Sequence, residues 1–502
     1  MESLVQGMKS NDVYILNPHY YLRNDIRRIL LYSKSQTDVR SCSNWYAFIH
    51  PLQAVMLSFF TYKRSLKENI LLLSKYFHCE LSEMEHFVAP FIRNSQPLCA
   101  HWHGRKIVFP KNIIVPAKSD DIFRELSPQE FVCQNLDLDN RRLYSAPLSI
   151  TIMLTNKCVT NCCYCYADTR TAIVKRLETS RICELIEEAG RLHMKHVNLI
   201  GGEIFLHPDW QVILKKAVDC NVEPEFISTK VPLTQEIVKS LLLTGYKGIL
   251  QLSLDTIDNV ILKKTLHVSD NYLELVKRGI TLLEDSGLKY QVATVLTTYN
   301  SRFSLLKDLY DYLSCLKNIT IWNLVPVHDS LNPNVEDFRS LKPSYKHLSE
   351  LFKQIEEYAV KSLNIAIDKD VLAQKYYSDS GGSSNFKGRK CPALSTHFFI
   401  LPDGKVSICE QIYWHPYFII GDVNRDSLNE VWNSKRARYL YYETWKDISS
   451  SSQCSGCVLK KDCFRNNNRC WVDIMKAYGR DNFDFPDPRC KMAERMKNYI
   501  GY

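Results

Sequence analysis

Between residues 149 and 325, two patterns of hydrophobic residues take turns along the chain. Short runs that are apolar at nearly every position are separated by longer stretches in which apolar residues recur every three or four positions. The short runs predict strands buried on both faces, and the longer stretches predict amphipathic helices. The predicted strands are 149–154, 196–200, 225–228, 248–254, 290–296 and 319–325, and the predicted helices include 180–191, 210–219, 233–244 and 271–286. Six such units indicate an α/β fold, a partial (β/α)6 TIM-like barrel whose reactive groups gather at the carboxyl ends of the strands.

A different pattern precedes the barrel. Short β-prone runs at 13–16, 20–22 and 29–32 are separated by Asn-Pro and Asn-Asp turn signals. Three amphipathic helices follow, of which the first begins at Pro51 and the others carry the capping boxes Ser65 with Glu68 and Ser82 with Glu85. Three strands followed by three helices predict a winged-helix-like module over residues 10–95. The proline-containing residues 96–147 are interpreted as a connector.

The residues after the barrel divide into a helical bridge with a linker and a cysteine-rich domain. After the barrel, residues 148–330, a helix is predicted over 343–360, and a Ser/Gly-rich stretch at 378–384 marks a flexible boundary. Residues 331–384 are therefore interpreted as a helical bridge and linker. Pro402-Asp403-Gly404 then predicts a hairpin between 397–401 and 405–408. This hairpin opens a cysteine-rich domain, residues 385–495.

Composition and charge narrow the class of protein. The 502 residues contain 64 basic and 55 acidic side chains, a net charge of +9, with no dense basic tract, which argues against nucleic-acid binding. No basic-then-apolar leader and no long apolar span is present, so we expect a cytoplasmic protein that neither binds nor crosses a membrane. In a reducing compartment, the 18 cysteines are expected to bind metal rather than form disulfides.

The first cysteine group follows the first barrel strand directly. Cys158, Cys162 and Cys165 have the spacing C-x3-C-x2-C, and Cys163 falls outside it and is assigned to packing. A short loop at a strand end can bring three thiolates to one metal cluster. Three thiolates leave one iron of a four-iron cluster free for a small molecule.

This group resembles the motif of the radical SAM superfamily, in which an aromatic residue such as Tyr164 precedes the third cysteine. The resemblance implies that the open iron of a 4Fe–4S cluster binds S-adenosylmethionine. It also implies that reductive cleavage gives a 5′-deoxyadenosyl radical, which abstracts hydrogen from a substrate. The protein then orients and shields that radical.

Further positions match the same family at later strand ends. Gly201-Gly202-Glu203 resembles the element that meets the methionine amino group, although Ile204 stands where proline is usual. By the same resemblance, the other cofactor-binding candidates are Ser228 and Thr229 after the third strand, Ser253 and Asp255 after the fourth, and Asn300 after the fifth.

The second cysteine group lies in the last part of the chain, and its CxxC pair alone is equally compatible with structural zinc. The whole pattern resembles the SPASM domain, which implies two auxiliary 4Fe–4S clusters in addition to the first. Six residues separate Cys463 from Cys470, where three are usual. The resemblance assigns one cluster to Cys391, Cys409 and Cys470, and the other to Cys454, Cys457, Cys463 and Cys490. It also makes Glu410 a candidate catalytic proton acceptor, with an ordinary surface carboxylate as the alternative.

Together these features resemble a radical SAM/SPASM peptide maturase. The N-terminal module then resembles an element that binds the leader of a ribosomally made precursor peptide as an added strand. The expected partners are this peptide and a reductant such as flavodoxin or ferredoxin. The expected product is a modified side chain, such as a thioether or other cross-link. A sulfatase-type formylglycine maturase, a small-molecule radical SAM dehydrogenase and a non-enzymatic zinc protein remain the alternatives. Cys99, His101 and His103 lack a fourth nearby ligand and are interpreted as incidental.

Overall fold

The fold is given by a computed structural model that describes residues 11–34, 46–332, 335–359, 363–379, 391–465, 469–493 and 496–502. The chain divides between Ala146 and Pro147 into two units. Among the described residues, no helix combines the length and the apolar character that crossing a bilayer requires.

The N-terminal unit contains the predicted three-stranded sheet and three helices. Its elements are β1 (Tyr14–Leu16), β2 (Tyr20–Asn24), β3 (Ile29–Ser33), β4 (Tyr46–Ile49), α1 (Pro51–Phe59), α2 (Leu66–Phe77), α3 (Leu81–Val88), β5 (Leu98–Trp102), β6 (Arg105–Phe109) and β7 (Ile114–Pro116). The predicted helices are confirmed, and so is the capping box of α2, in which Ser65 accepts from the Glu68 amide. The capping box of α3 is formed by Glu80 and Glu83 rather than by Ser82 and Glu85, because the helix begins two residues earlier than predicted.

The composition of the sheet differs from the prediction in one strand. The antiparallel order is β2-β3-β4, whereas β1 leaves the sheet and pairs with β7. The third strand, β4, is the short run Tyr46–Ile49, which has no alternating pattern and leads directly into α1. Only its pairing with β3, which places Ile49 opposite Ile29, makes it a strand. Such a partner cannot be read from local sequence.

Residues 96–146 are part of the N-terminal unit and do more than connect it to the barrel. Strands β5 and β6 form a hairpin, and β7 supplies the partner of β1. Ile107, Phe109 and Phe131 are buried in the same hydrophobic cluster as side chains of α1 and α2. Cys99 and His101 lie on β5 and are exposed.

The C-terminal unit contains the barrel and the cysteine-rich region. Its strands are β8 (Ser149–Met153), β9 (His196–Ile200), β10 (Phe226–Thr229), β11 (Ile249–Ser253), β12 (Tyr290–Leu296), β13 (Ile319–Pro326), β14 (Ile365–Ile367), β15 (His397–Ile400), β16 (Lys405–Ser407) and β17 (Gly421–Asp422). Its α-helices are α4 (Thr179–Arg191), α5 (Trp210–Asp219), α6 (Gln235–Thr244), α7 (Asn259–Leu266), α8 (Tyr272–Ser286), α9 (Phe303–Ser314), α10 (Tyr345–Tyr358), α11 (Asp370–Ala373), α12 (Leu428–Asn433), α13 (Lys435–Tyr442), α14 (Lys460–Arg465) and α15 (Trp471–Tyr478).

All six predicted barrel strands are confirmed, each to within two residues at either end. Strand β8 pairs in parallel with β9, and β10 to β13 pair in parallel in chain order. The strands carry helices between them, so the α/β barrel architecture is as expected. The helix predicted over 343–360 is α10, whereas most of the predicted flexible boundary, residues 380–384, lies outside the described residues.

The six barrel strands lie in two sheets, one with β8 and β9 and one with β10 to β13, and a further parallel strand extends each sheet. Strand β14 pairs in parallel with β13, and β15 pairs in parallel with β8. The predicted hairpin is confirmed, because β15 pairs antiparallel with β16. The pairing of β15 with β8 was not predicted, because a turn motif specifies the two strands of a hairpin but not the strand on the other side of β15. The cysteine-rich region therefore begins as a continuation of the sheet that contains β8 and β9.

Candidate active site

The loop after β8 and the loop after β9 pack closely against each other. The Gly202 amide donates to the Thr155 carbonyl at 2.7 Å. A Cβ on Gly202 would stand 2.2 Å from the Lys157 carbonyl oxygen, and one on Gly201 would stand 2.8 Å from the Thr155 oxygen. No side chain fits at either position. The two glycines therefore hold the Glu203 loop against the first cysteine loop.

The first three cysteines are brought together by the loop after β8. The Thr160 hydroxyl lies 3.5 Å from the Cys158 sulfur and 3.2 Å from the Cys162 sulfur. The Cys165 amide donates to the Cys162 carbonyl at 3.1 Å, and the Cys165 thiol interacts electrostatically with both other thiols. Burial raises the pKa of Cys162, and it raises the pKa of Cys165 to about 11. Ligation by a metal deprotonates such thiols outright, so the donor set fits a cluster.

Cys163 lies outside the C-x3-C-x2-C spacing and is buried, and its amide donates to the Thr265 carbonyl at 2.9 Å. In the described part of the chain, no three His, Cys, Asp or Glu side chains are arranged to hold a single metal ion. A four-iron cluster is larger than one ion and requires its ligands to stand farther apart.

Glu203 is fixed by groups from the end of β10. One of its carboxylate oxygens accepts from the Thr229 hydroxyl at 2.9 Å and from the Lys230 amide at 3.0 Å. Burial raises the pKa of Glu203, and these hydrogen bonds oppose the rise. Ser228 is exposed on the other face of the strand, where it accepts from Gln251 at 3.1 Å. Successive residues of a strand face opposite sides of the sheet, so Ser228 and Thr229 lie in different surroundings.

Asp255 connects the first cysteine loop with the ends of three strands. Its carboxylate accepts from the Tyr164 hydroxyl and, at 2.9 Å, from the Val295 amide. The Lys230 ammonium lies 3.5 Å from the same carboxylate and 5.5 Å from the centre of the Tyr164 ring. Sequence reasoning missed Lys230, although it directly follows Ser228-Thr229. Ser253 ends β11 and is half-buried.

Asn300 joins the ends of β11 and β12. Its amide nitrogen donates to the carbonyls of Asp255 and Val295, each at 2.9 Å. Its oxygen accepts from the Thr297 amide at 2.7 Å and the Thr297 hydroxyl at 3.0 Å. Both hydrogens and both lone pairs of the side chain are therefore in use. In the structure, Asn300 therefore helps to hold Asp255 in position.

Glu410 is close to the residue that follows the first cysteine group. The Glu410 carboxylate raises the pKa of the Tyr166 phenol, and burial raises the pKa of Glu410 itself. Tyr413 packs in a hydrophobic cluster that includes Cys165. The loop after β16 thus brings the candidate proton acceptor to the mouth of the first cysteine site.

The seven candidate ligands of the C-terminal region form two groups. Cys391 interacts with Cys409 and with Cys470. The other group is Cys454, Cys457, Cys463 and Cys490, whose thiols interact with one another. The structure thus brings together the same two sets that the sequence resemblance assigned. Burial raises the pKa of Cys409 to about 12 and that of Cys463 to about 11, which again fits thiols that a metal deprotonates.

Asp487 positions one cysteine from each of these groups and was missed by sequence reasoning. The Cys470 amide donates to its carboxylate at 3.0 Å, and the Cys490 amide donates to its carbonyl at 2.8 Å. Arg489 donates twice to the Asp487 carboxylate, each time at 2.7 Å. In the sequence, the only local indication of this role is that Asp487 stands three residues before Cys490.

Two family models match the chain. The model described as "Radical SAM superfamily" matches residues 152–302, and the SPASM model, described as "Iron-sulfur cluster-binding domain", matches residues 391–458. The first match spans the strands and loops of the first cysteine site. The second begins at Cys391 and ends one residue after Cys457.

Three relatives show how far this similarity extends. Mycofactocin maturase MftC of Mycobacterium tuberculosis is 30% identical over 358 residues, which is 69% of this chain and 83% of the relative. The antilisterial bacteriocin subtilosin biosynthesis protein AlbA of Bacillus subtilis is 22% identical over 63% of this chain and 68% of its own length. Streptococcus suis SuiB bound to precursor peptide SuiA has the same fold, with a TM-score of 0.60 at 17% identity over 95% of this chain and 99% of that one.

Proposed function

The chain belongs to the radical SAM superfamily and carries an SPASM domain, and we propose that it is an enzyme that modifies a ribosomally made precursor peptide. One observation carries the proposal. A winged-helix-like unit, whose outer strand β4 has no second strand partner among the described residues, precedes a barrel that gathers Cys158, Cys162, Cys165 and Glu410. The relatives named as maturases, and the SuiB structure with its precursor peptide, support this substrate class.

The proposed cofactors are S-adenosylmethionine and three 4Fe–4S clusters. Cys158, Cys162 and Cys165 would hold the first cluster. The auxiliary clusters would be held by Cys391, Cys409 and Cys470, and by Cys454, Cys457, Cys463 and Cys490. When bound, the first cluster and S-adenosylmethionine supply a 5′-deoxyadenosyl radical that takes hydrogen from the peptide. A flavodoxin or ferredoxin is the proposed electron donor, and the cytoplasm is the proposed compartment.

The barrel residues would bind and orient the cofactor. The backbone of Gly201 and Gly202 and the fixed Glu203 carboxylate are the proposed partners of its amino group. Thr229 holds Glu203 in place, and Asp255 with Asn300 behind it fixes Tyr164 and the cysteine loop. Ser228 and Ser253 remain candidates for polar contacts with the cofactor.

Glu410 is the proposed acceptor of the proton that the substrate loses. Its carboxylate stands by Tyr166 at the cysteine loop, in partly buried surroundings that raise its pKa and make it a better base. This residue belongs to the loop that also supplies Cys409. The same loop therefore serves the first auxiliary site and the substrate.

The N-terminal unit is the proposed binding site of the leader. Strand β4 is at one end of the sheet, and among the described residues no strand pairs with its outer side. Tyr46 on this strand is 44% exposed. At the other end of the sheet, the side-chain amide of Asn24 on β2 donates to the Glu130 carbonyl at 2.6 Å. A leader added beside β4 would gain main-chain hydrogen bonds.

Hydrogen exchange of the full chain tests this site. Addition of leader peptide is expected to slow exchange of the β4 amides and to leave those of β7 unchanged. Slowing confined to β2, or no slowing at all, would contradict docking on β4. The matched variants Tyr46→Ala on β4 and Tyr345→Ala on α10, both exposed, are expected to weaken leader binding and to leave it unchanged, respectively.

The first auxiliary site suggests the kind of bond formed. It has only three assigned thiolates, so its cluster would retain one iron that a substrate cysteine can bind. A thioether or similar cross-link is the product that this arrangement favours. A spectrum of that cluster that stays the same when substrate is added would contradict it.

Anaerobic purification with iron and sulfide counting tests the proposal as a whole. We expect about twelve iron atoms per chain, four for each cluster. Replacement of Cys158, Cys162 and Cys165 by alanine is expected to remove four of them and to abolish formation of 5′-deoxyadenosine under reductant. Zinc with little iron would identify a non-enzymatic zinc protein. Cleavage coupled to a small molecule, with no dependence on any peptide, would identify a dehydrogenase.

A further inference from the structure

Arg469 is a buried cation in the second auxiliary site. Only 2% of its surface is exposed. Its guanidinium lies 3.8 Å from the centre of the Phe464 ring and 4.9 Å from that of Trp471. Phe464 directly follows Cys463 in α14, so the cation lies beside the helix that carries one of the proposed cluster ligands.

Among the described residues, no carboxylate forms a direct ion pair with the Arg469 guanidinium. One terminal nitrogen donates to the carbonyls of Phe483, at 3.0 Å, and Phe485. The other terminal nitrogen and Nε are buried and have no hydrogen-bond partner in the described part of the chain. Burial of a guanidinium without an anion costs several kcal/mol, and each unsatisfied donor adds to that cost. These surroundings require an anion.

The Cys454 and Cys463 thiols, with Asp487 and Asp484, are the acidic groups that act electrostatically on this guanidinium, and the two cysteines have the larger influence. Arg489 offers a contrast, since it contacts Asp487 at 2.7 Å and Asp473 at 3.1 Å. One arginine of this domain is thus neutralised by carboxylates, whereas the other faces thiols.

We propose that Arg469 balances the charge of a fully thiolate-ligated 4Fe–4S cluster on Cys454, Cys457, Cys463 and Cys490, donates hydrogen bonds to its sulfurs, and raises its reduction potential. This inference rests on the cluster assignment of the proposed function. Four thiolates outweigh the positive charge of the iron–sulfur core, and uptake of one electron adds a further negative charge. A fixed cation and N–H donors beside the sulfurs therefore stabilise the reduced form more than the oxidised form. Arg469 acts through the cluster and is a positioning and tuning residue.

Redox titration of the anaerobic, cluster-loaded full chain tests the proposal. Cys158, Cys162 and Cys165 are replaced by alanine so that only the auxiliary clusters titrate, and their reduction is followed by electron paramagnetic resonance. Arg469→Met keeps the packing on the two rings and removes the charge. We expect one auxiliary cluster to become at least tenfold less reduced at a fixed potential, which is 59 mV for one electron. Arg469→Lys is expected to shift it less, and the exposed Arg480→Met is expected to shift nothing.

Unchanged potentials in Arg469→Met with full iron content would overturn the proposal. If Arg469→Met loses the cluster, Arg469→Gln decides. Loss in the Gln variant with retention in the Lys variant supports charge balance, as does retention in the Gln variant at a lowered potential. Retention in the Gln variant at an unchanged potential, or loss in the Lys variant as well, would overturn it. Absence of iron from the unaltered protein would instead overturn the proposed function.

Discussion

At the scale of single residues, the first cysteine site depends on the absence of a side chain at Gly202. Its missing Cβ leaves room for the Lys157 carbonyl, so the loops after β8 and β9 can touch. The motif was visible in the sequence because its residues are adjacent. The reason for the glycine was not, since Lys157 belongs to another loop.

Gly202→Ala should damage the first site. The added methyl would meet backbone, which cannot move aside cheaply, and we expect a cost of about 1–3 kcal/mol. 5′-Deoxyadenosine formation under reductant should fall by about tenfold or more. Gly456→Ala is the matched control, because its added Cβ meets nothing within 4 Å. Equal rates for the two variants would contradict this account.

Glu410→Gln should separate cofactor cleavage from product formation. The amide retains the size of the side chain but cannot accept a proton, so we expect modified peptide to decrease by about 10²–10⁴-fold. Formation of 5′-deoxyadenosine should persist. Product analysis by mass spectrometry checks this, with the exposed Glu274→Gln as control. Normal product formation by Glu410→Gln would leave Glu410 as an ordinary carboxylate.

Local spacing predicted some site residues and could not predict others. The cysteines are recognisable because cluster ligands are close together along the chain or follow a fixed pattern. Lys230, Asp487 and Arg469 are ordinary charged residues in the sequence, and only burial and distant partners give them importance. Asn300 illustrates the reverse case. Its position at a strand end was apparent, but the backbone groups that occupy its side chain were not.

At the scale of elements, the junction between β15 and β8 contains a partly buried histidine, His397. The two ring nitrogens of His397 lie 3.2 Å from the hydroxyls of Ser149 and Thr151. Burial lowers the pKa of His397 to about 4. Apolar runs and turn signals predicted each strand separately. Their pairing could be seen only in the folded structure, because the sequence of a strand does not specify which strand pairs with it.

Stability should therefore depend on pH through His397. In the unfolded chain this imidazole takes up a proton near pH 6.5, whereas in the folded protein it stays neutral down to about pH 4. Between these values the unfolded state binds more protons, so the free energy of unfolding falls as the pH falls. We expect a loss of about 2 kcal/mol between pH 7.5 and pH 5 from this group.

Urea unfolding at several pH values checks this prediction. His397→Gln, which can still hydrogen-bond but does not titrate, should reduce the pH dependence by that amount. The exposed His86→Gln is the control and should leave the dependence unchanged. An identical slope for His397→Gln and the unaltered protein would contradict the prediction.

At the scale of the whole molecule, the chain consists of two units that meet in sequence at Ala146. The predicted end of the first module, residue 95, followed the last helix signal. Residues beyond it pack into the same core, through side chains such as Ile107 and Phe131. Prolines made this stretch look like a connector, because local composition does not report a shared core.

Two deletions should behave differently for this reason. Removal of residues 1–146 takes away a whole unit, so we expect cleavage of S-adenosylmethionine to persist and leader affinity to be lost. Removal of residues 1–95 leaves apolar side chains of β6 and β7 without their core partners, and we expect aggregation. Calorimetric titration with leader peptide and light scattering check the two outcomes. Unchanged leader affinity after removal of 1–146 would favour a sulfatase-type maturase.

The pairing of β15 with β8 also has a consequence for synthesis of the chain. His397 contacts Ser149, which is 248 residues earlier. At 5–20 residues per second, a ribosome needs about 12–50 s to make that stretch. Throughout this time the β8 edge has no partner on that side, and an open edge invites aggregation. Slower initiation should therefore increase the yield of folded protein, because fewer incomplete chains are present at the same time.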